Sequence, residues 1–215
     1  MSNKATLIVF LAGIALAVIG GMIVYPMLPD QIASHWNAAG QVDDYMPKFW
    51  GVFLLPIVLA VMFLFYIIIP KIDPYRANIE SFRKYYNLMW VVIAAFLFYV
   101  FKLMIIWNLG YRFDFALMMV PALAAFLYFL GWLLEKSKRN WFVGIRTPWT
   151  LSDDGVWEKT HQLGGKLFRA AAVFSLIGLF FRDSAIAIVV IAVPMGLVAI
   201  VTVVYSYFEY RKKNF

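Results

Sequence analysis

The sequence predicts an all-α membrane protein of six transmembrane helices with both termini on the cytoplasmic side. Three observations carry that expectation. Apolar residues make up 64% of the chain against 14% charged, and the mean hydropathy is +0.79, which leaves too little polar surface for a water-soluble fold of this length. Six apolar runs approach or exceed the length needed to cross a hydrocarbon layer of about 30 Å. Of the 19 Lys and Arg residues, 14 fall in segments that six spans put on one side: Lys4, four in the second loop, six in the fourth and three in the tail. Positive charge marks that side as cytoplasmic.

The first run, 5–27, outlasts the core of a secretory signal and reads as a retained span. Within it Gly13, Ala17 and Gly21 recur every fourth residue, a spacing that lets helices approach closely; packing inside the bundle explains it better than a dimer face. The loop 28–50 sets Asp30, His35, Asp43 and Asp44 against Lys48. The spacing matches no strong metal motif and adjacent Asp43 and Asp44 would diverge, so no metal site is expected. Instead Pro29, Asn37 and Gly40 shape a compact turn in which His35 hydrogen-bonds.

A second span, 51–69, stops at Pro70. The loop 71–87 carries Lys71, Asp73, Arg76, Glu80, Arg83 and Lys84; its latter half reads as an interfacial helix with Tyr85, Tyr86 and Trp90 at headgroup level. The third span, 88–109, contains Lys102 roughly 10 Å from its outer end. That lysine is either a functional intramembrane charge or one that snorkels outward, and the nearest carboxylates for it are Asp30, Asp43, Asp44 and Asp114.

The fourth span, 115–134, ends in Glu135-Lys136-Ser137-Lys138-Arg139. A short helix then follows on the inner membrane surface, N-capped by Ser152, with Asp153, Asp154 and Glu158 in its first turns and Gly164-Gly165 ending or bending it. The fifth span, 167–181, is short and interrupted by Arg169, so Lys166 and Arg169 must snorkel or the bilayer must thin. Dropping this span would throw the basic tail outside. The sixth, 185–207, is clear. The opposite loops hold one basic residue each, Lys48, Arg112 and Arg182, while Pro56, Pro121 and Pro194 read as tolerated kinks in the outer halves of spans two, four and six.

Several chemistries are absent. The chain has no cysteine, and its net charge of +7 is explained by loop topology, so no direct nucleic-acid contact is expected. His35 and His161 fall on opposite sides, no Asp/Glu pair lies within a span, and no H-E-x-x-H, nucleophile elbow, phosphate loop or dinucleotide glycine pattern occurs. No catalytic, cofactor or metal residue is therefore nominated.

The longest polar interruption, 140–161, reads N-W-F-V-G-I-R-T-P-W-T-L-S-D-D-G-V-W-E-K-T-H. Its run Gly144-Ile145-Arg146-Thr147-Pro148-Trp149-Thr150, with Val156-Trp157 and Thr160-His161 after it, resembles the signature of the SdpI family of bacterial membrane immunity proteins. The stretch Leu28-Pro29-Asp30, His35-Trp36-Asn37, Gly40 and Asp43 resembles the DUF1648-like segment often found at the N-terminus of the same proteins. The resemblance implies two regions: a helix hairpin with that outer loop over 1–70, and an SdpI-like region over 71–215 whose four spans surround a cytoplasmic loop, 135–166.

It implies a multi-pass protein of the cytoplasmic membrane that protects its cell from a secreted, membrane-active peptide toxin. In the family's best-known type the protein is also a receptor that, once occupied, holds an ArsR-type autorepressor at the membrane. Membrane lipids, the toxin and that repressor are thus the implied partners, and no cofactor is. Partner contact then falls to Asn140, Gly144, Arg146, Thr147, Pro148, Trp149, Trp157 and His161 in the cytoplasmic loop, and toxin contact to Asp30, His35, Asn37, Asp43 and Lys102. Two other classes compete. A membrane-embedded enzyme acting on lipid or peptide would use Arg146, Trp149, Glu158 and His161; a small transporter would need an energy source.

Overall fold

A computed structural model describes residues 1–181 and 183–214; Arg182, one of the three basic residues counted opposite the cytoplasmic side, lies outside the described residues. The elements are α1 (Asn3–Val24), β1 (Gln31–Trp36), β2 (Val42–Pro47), α2 (Lys48–Ile72), α3 (Arg76–Ser81), α4 (Arg83–Asn108), α5 (Phe115–Leu134), α6 (Pro148–Ser152), α7 (Asp154–Ser175) and α8 (Ser184–Asn214). Short 3-10 turns follow α1 and α7. Six helices are long and apolar enough to cross a membrane: α1, α2, α4, α5, α7 with its 3-10 extension, and α8. The protein is an all-α multi-pass membrane protein with one small sheet.

Contacts place the start of α1 and the end of α8 on one face. The N-terminal amine donates to the carbonyl of Lys84 at the start of α4. Lys213, at the end of α8, pairs with Asp153 at 2.6 Å. Asn78 on α3 donates to the carbonyl of Arg139. This terminal face therefore also holds α3 and the loop 135–153, and the β-hairpin caps the opposite, hairpin face. Gly13, Ala17 and Gly21 do pack inside the bundle: a Cβ on Gly13 would touch Phe98 and one on Gly21 would overlap Val52, while Ala17 is buried.

Helix starts follow local chemistry. Ser2 caps α1 by accepting from Ala5, and Asp114 caps α5 by accepting from Leu117, each satisfying an amide that has no partner within its helix. Pro70 does not stop α2, which runs two residues further. A proline at that position removes the amide that would bond the carbonyl of Tyr66, and the buried hydroxyl of Tyr86 donates to that same carbonyl at 3.2 Å. The tyrosine replaces the bond the proline forfeits. Tyr86→Phe is expected to strand that carbonyl and cost about 1–2 kcal/mol, read as a lower melting temperature in detergent; an unchanged value would refute the replacement.

The same side chains correct the interfacial reading of 71–87. Tyr86 and Trp90 are core residues, packed with Tyr66 in an aromatic cluster against which Arg83 lies. The segment after Phe82 belongs to the spanning helix α4, leaving only α3 as a separate short helix. Pro56, Pro121 and Pro194 all lie inside continuous helices.

Candidate functional site

The hairpin face is built from the loop 28–50, which forms a β-hairpin around the expected compact turn. Asn37 shapes the turn, accepting on Oδ1 from the amides of Ala39 and Gln41 at 3.0 Å each, and Gly40 adopts φ +72°, a conformation that favours glycine. Around that turn β1 and β2 pair antiparallel, with irregular register at Ala33/His35 and His35/Trp36. These bulges break the apolar/polar alternation that announces a strand, which is why the strands were not anticipated.

The hairpin is clamped to the bundle. Ala33 donates to Oδ1 of Asn108 and accepts from its Nδ2, so the Asn108 side chain ties β1 to the end of α4. Trp36 stacks on Phe115 at 4.0 Å and meets Trp107 edge-on. Along β2, the amide of Tyr45 is taken by the side chain of Asp44 at 2.8 Å. Each strand of this small sheet thus has one residue whose backbone is bonded by a side chain.

Of the residues nominated on this side, His35 and Asp43 come together in an exposed 2.6 Å pair, and Asn37 forms their turn. Asp30 pairs instead with Lys48 at 2.9 Å. Lys102 stands apart, exposed on α4 and without an ion pair among the described residues. Asp114, another possible partner for it, accepts from Ser184 and so ties the start of α5 to that of α8.

On the terminal face the loop 140–147 has no regular structure, and buried side chains hold it in place of a backbone ladder. Asn140, fully buried, donates to the carbonyls of Lys138 and Val143 and accepts from the amides of Phe142 and Val143. Asp73, also buried, accepts from the amides of Trp141 and Tyr75. At Thr147 a capping box with Thr150 opens α6, and the Thr147 hydroxyl lies 3.0 Å from that of Ser206 on α8.

His161 is the centre of this assembly. It is 1% exposed, stacked on Trp157 at 3.9 Å, and both ring nitrogens are used. Its Nε2 accepts from the amide of Ile145 at 2.9 Å, and its Nδ1 lies 2.8 Å from the carbonyl of Trp157. An amide only donates and a carbonyl only accepts, so the ring is neutral with its proton on Nδ1. Gly144, at φ +126°, lies so close that a Cβ there would overlap Nε2. Trp157 in turn donates to the carbonyl of Ser137. A polar cavity of about 240 Å³ lies beside these rings, lined by Glu135, Lys138, Arg139, Asp154 and Glu158 among others. With both nitrogens committed, His161 offers that cavity neither a base nor an acid.

The signature therefore divides. Asn140, Thr147, Trp157 and His161 are buried and form a scaffold, with Gly144 fitted against it. Trp141, at 47% exposure, Phe142, Arg146 and Pro148 face outward, and Trp149 is half-buried, edge-on to Tyr207. Arg146 donates one bond, to the carbonyl of Trp141.

The expected surface helix is also corrected. Ser152 ends α6, and Asp153 caps α7 by accepting from Gly155 and Val156. The hydrogen bond from Lys213, aided by the capping amides, holds the Asp153 carboxyl below the ordinary aspartate range. From there α7 runs unbroken through Gly164 and Gly165. These glycines do not end it: a Cβ on Gly165 would lie 2.6 Å from the carbonyl oxygen of Gly131 on α5, so the glycine permits a close helix crossing.

Sequence reasoning missed Asn108, Asp73, Asn78, Thr150 and Ser206. Asn108 and Ser206 are polar side chains within apolar spans, while Asp73, Asn78 and Thr150 lie in polar loops where nothing local sets them apart.

The chain resembles known proteins along most of its length. Residues 136–206 match the model of the SdpI/YfhL protein family, and residues 12–60 match that of a domain of unknown function, DUF1648. Over 205 residues the chain is 24% identical to "Immunity protein SdpI" of Bacillus subtilis (strain 168), covering 94% of each chain. No solved structure matches. The resemblance to the SdpI family read from the motif thus extends from the signature to nearly the whole chain.

Proposed function

We propose that this chain is a membrane immunity protein that protects its cell against a secreted, membrane-active peptide toxin. The observation that carries this reading is the full-length similarity to an immunity protein, with both segments in order. The terminal face is assigned to the cytoplasm, because its loops hold most of the Lys and Arg residues. The hairpin face, with its exposed His35–Asp43 pair, then meets the toxin. No catalytic role is assigned, since both ring nitrogens of His161, the one histidine near the polar cavity, are committed to the backbone.

The first test is membrane potential in toxin-sensitive cells after adding a peptide toxin of the SdpC type, with and without this chain at matched expression. Preserved potential supports protection, and equal collapse in both rejects it. Dissipating the proton gradient separates the transporter reading, whose protection would then vanish.

The finer part of the proposal is capture of an ArsR-type repressor by the exposed half of the signature. Arg146→Ala is expected to abolish co-sedimentation of the repressor with membranes while protection and expression stay unchanged. Loss of protection and of folded protein together would instead make Arg146 part of the scaffold.

A further inference from the structure

A second site lies on the lipid-facing side of α7, toward the terminal face. Tyr128, Lys166, Arg169, Ala170, Val173, Phe174 and Ile177 line an open groove of about 710 Å³ between α5 and α7. Its charges do not balance. Arg169 pairs with Glu135 through Nη2, donates from Nε to the carbonyl of Gly165, and lies over the ring of Tyr128. Lys166 is exposed and has no ion pair or hydrogen bond among the described residues. Two cations thus face one carboxylate, and Nη1 of Arg169 has no partner among the described residues.

Depth makes the imbalance costly. From Lys166 to the end of the 3-10 turn at Phe180 the chain rises only roughly 24 Å, against a hydrocarbon layer of about 30 Å. Lys166 and Arg169 therefore sit below the headgroup plane of their leaflet, where an unpaired charge is expensive. Beyond them, away from the terminal face, Val173, Phe174 and Ile177 are exposed and wholly apolar. The groove is cationic at the end near the headgroups and apolar toward the midplane.

We propose that this groove binds an anionic phospholipid of the leaflet on the terminal face. Its phosphate sits on Lys166 and Arg169, and one acyl chain lies along Val173, Phe174 and Ile177. The phosphate supplies the missing negative charge, and the short apolar stretch between Lys166 and Phe180 is met by a lipid drawn slightly into the bilayer. This inference rests on the membrane-spanning fold alone and stands whether or not the immunity reading holds.

The test is native mass spectrometry of the full chain in mild detergent with phosphatidylglycerol or phosphatidylcholine of matched acyl chains. The wild type is expected to retain one phosphatidylglycerol several-fold better than phosphatidylcholine. Lys166→Gln should weaken that retention about fivefold, the effect of one basic residue near a lipid surface, and Lys166→Arg should keep it. Lys71→Gln, at an exposed lysine near the same face, should leave it unchanged. Val173→Trp fills the acyl path from an exposed position and should lower retention with the charges intact. Equal weakening by Lys71→Gln and Lys166→Gln, equal retention of the two lipids, or full retention by Val173→Trp would each overturn the site.

Discussion

His161→Ala is expected to remove the folded protein rather than a single activity. The substitution strands the amide of Ile145, strips the stacking partner from Trp157 and removes a buried ring from the wall of the polar cavity. A stranded buried donor costs about 1–3 kcal/mol and the lost volume adds to it, for a total of about 3–5 kcal/mol. The measurement is yield and melting temperature of detergent-solubilised protein beside Glu158→Ala. Glu158 is exposed at the rim of the polar cavity, and its one hydrogen bond among the described residues comes from Gln162, so its variant should match the wild type in yield, melting and toxin protection. An enzyme using this pair would show the reverse: two well-folded variants, both inactive. A normally melting His161→Ala protein would therefore sink the scaffold reading.

Gly165→Val is expected to be the most damaging substitution at the crossing of α5 and α7. The added Cβ alone would sit 2.6 Å from both the Gly131 carbonyl oxygen and Cγ of Glu135. Neither the helix backbone nor a side chain held in an ion pair with Arg169 can yield cheaply. The helices must separate, which costs about 3 kcal/mol and withdraws support from the loop that α7 carries. Gly20→Val is the control, because nothing lies within 4 Å of a Cβ there. Similar melting temperatures for the two variants would mean that the crossing is not tight.

The six spans were legible because crossing a bilayer is a property of one segment at a time. A run of about 20 apolar residues satisfies its own backbone and pays its own transfer cost. The motif was legible too, yet not the role of its members. Nothing in N-W-F-V-G-I-R-T-P-W distinguishes Asn140, which is buried and braces the loop, from Trp141 beside it, which faces outward. The glycine pair at 164–165 reads locally as a break, and only the backbone of α5 opposite it turns the break into a contact.

The sequence by itself determined the class of the molecule, its six spans, the charge asymmetry of its loops and the family it resembles. Each of these depends on composition or on neighbours within one segment. Tertiary structure decided what depends on partners far along the chain. Asn108 holds Ala33 of β1 from 75 residues away, Asp73 holds Trp141 across 68, and Thr147 meets Ser206 across 59. A buried polar group must find a partner, but its own sequence context does not say which. That pairing sorts one signature into a buried scaffold and an exposed surface.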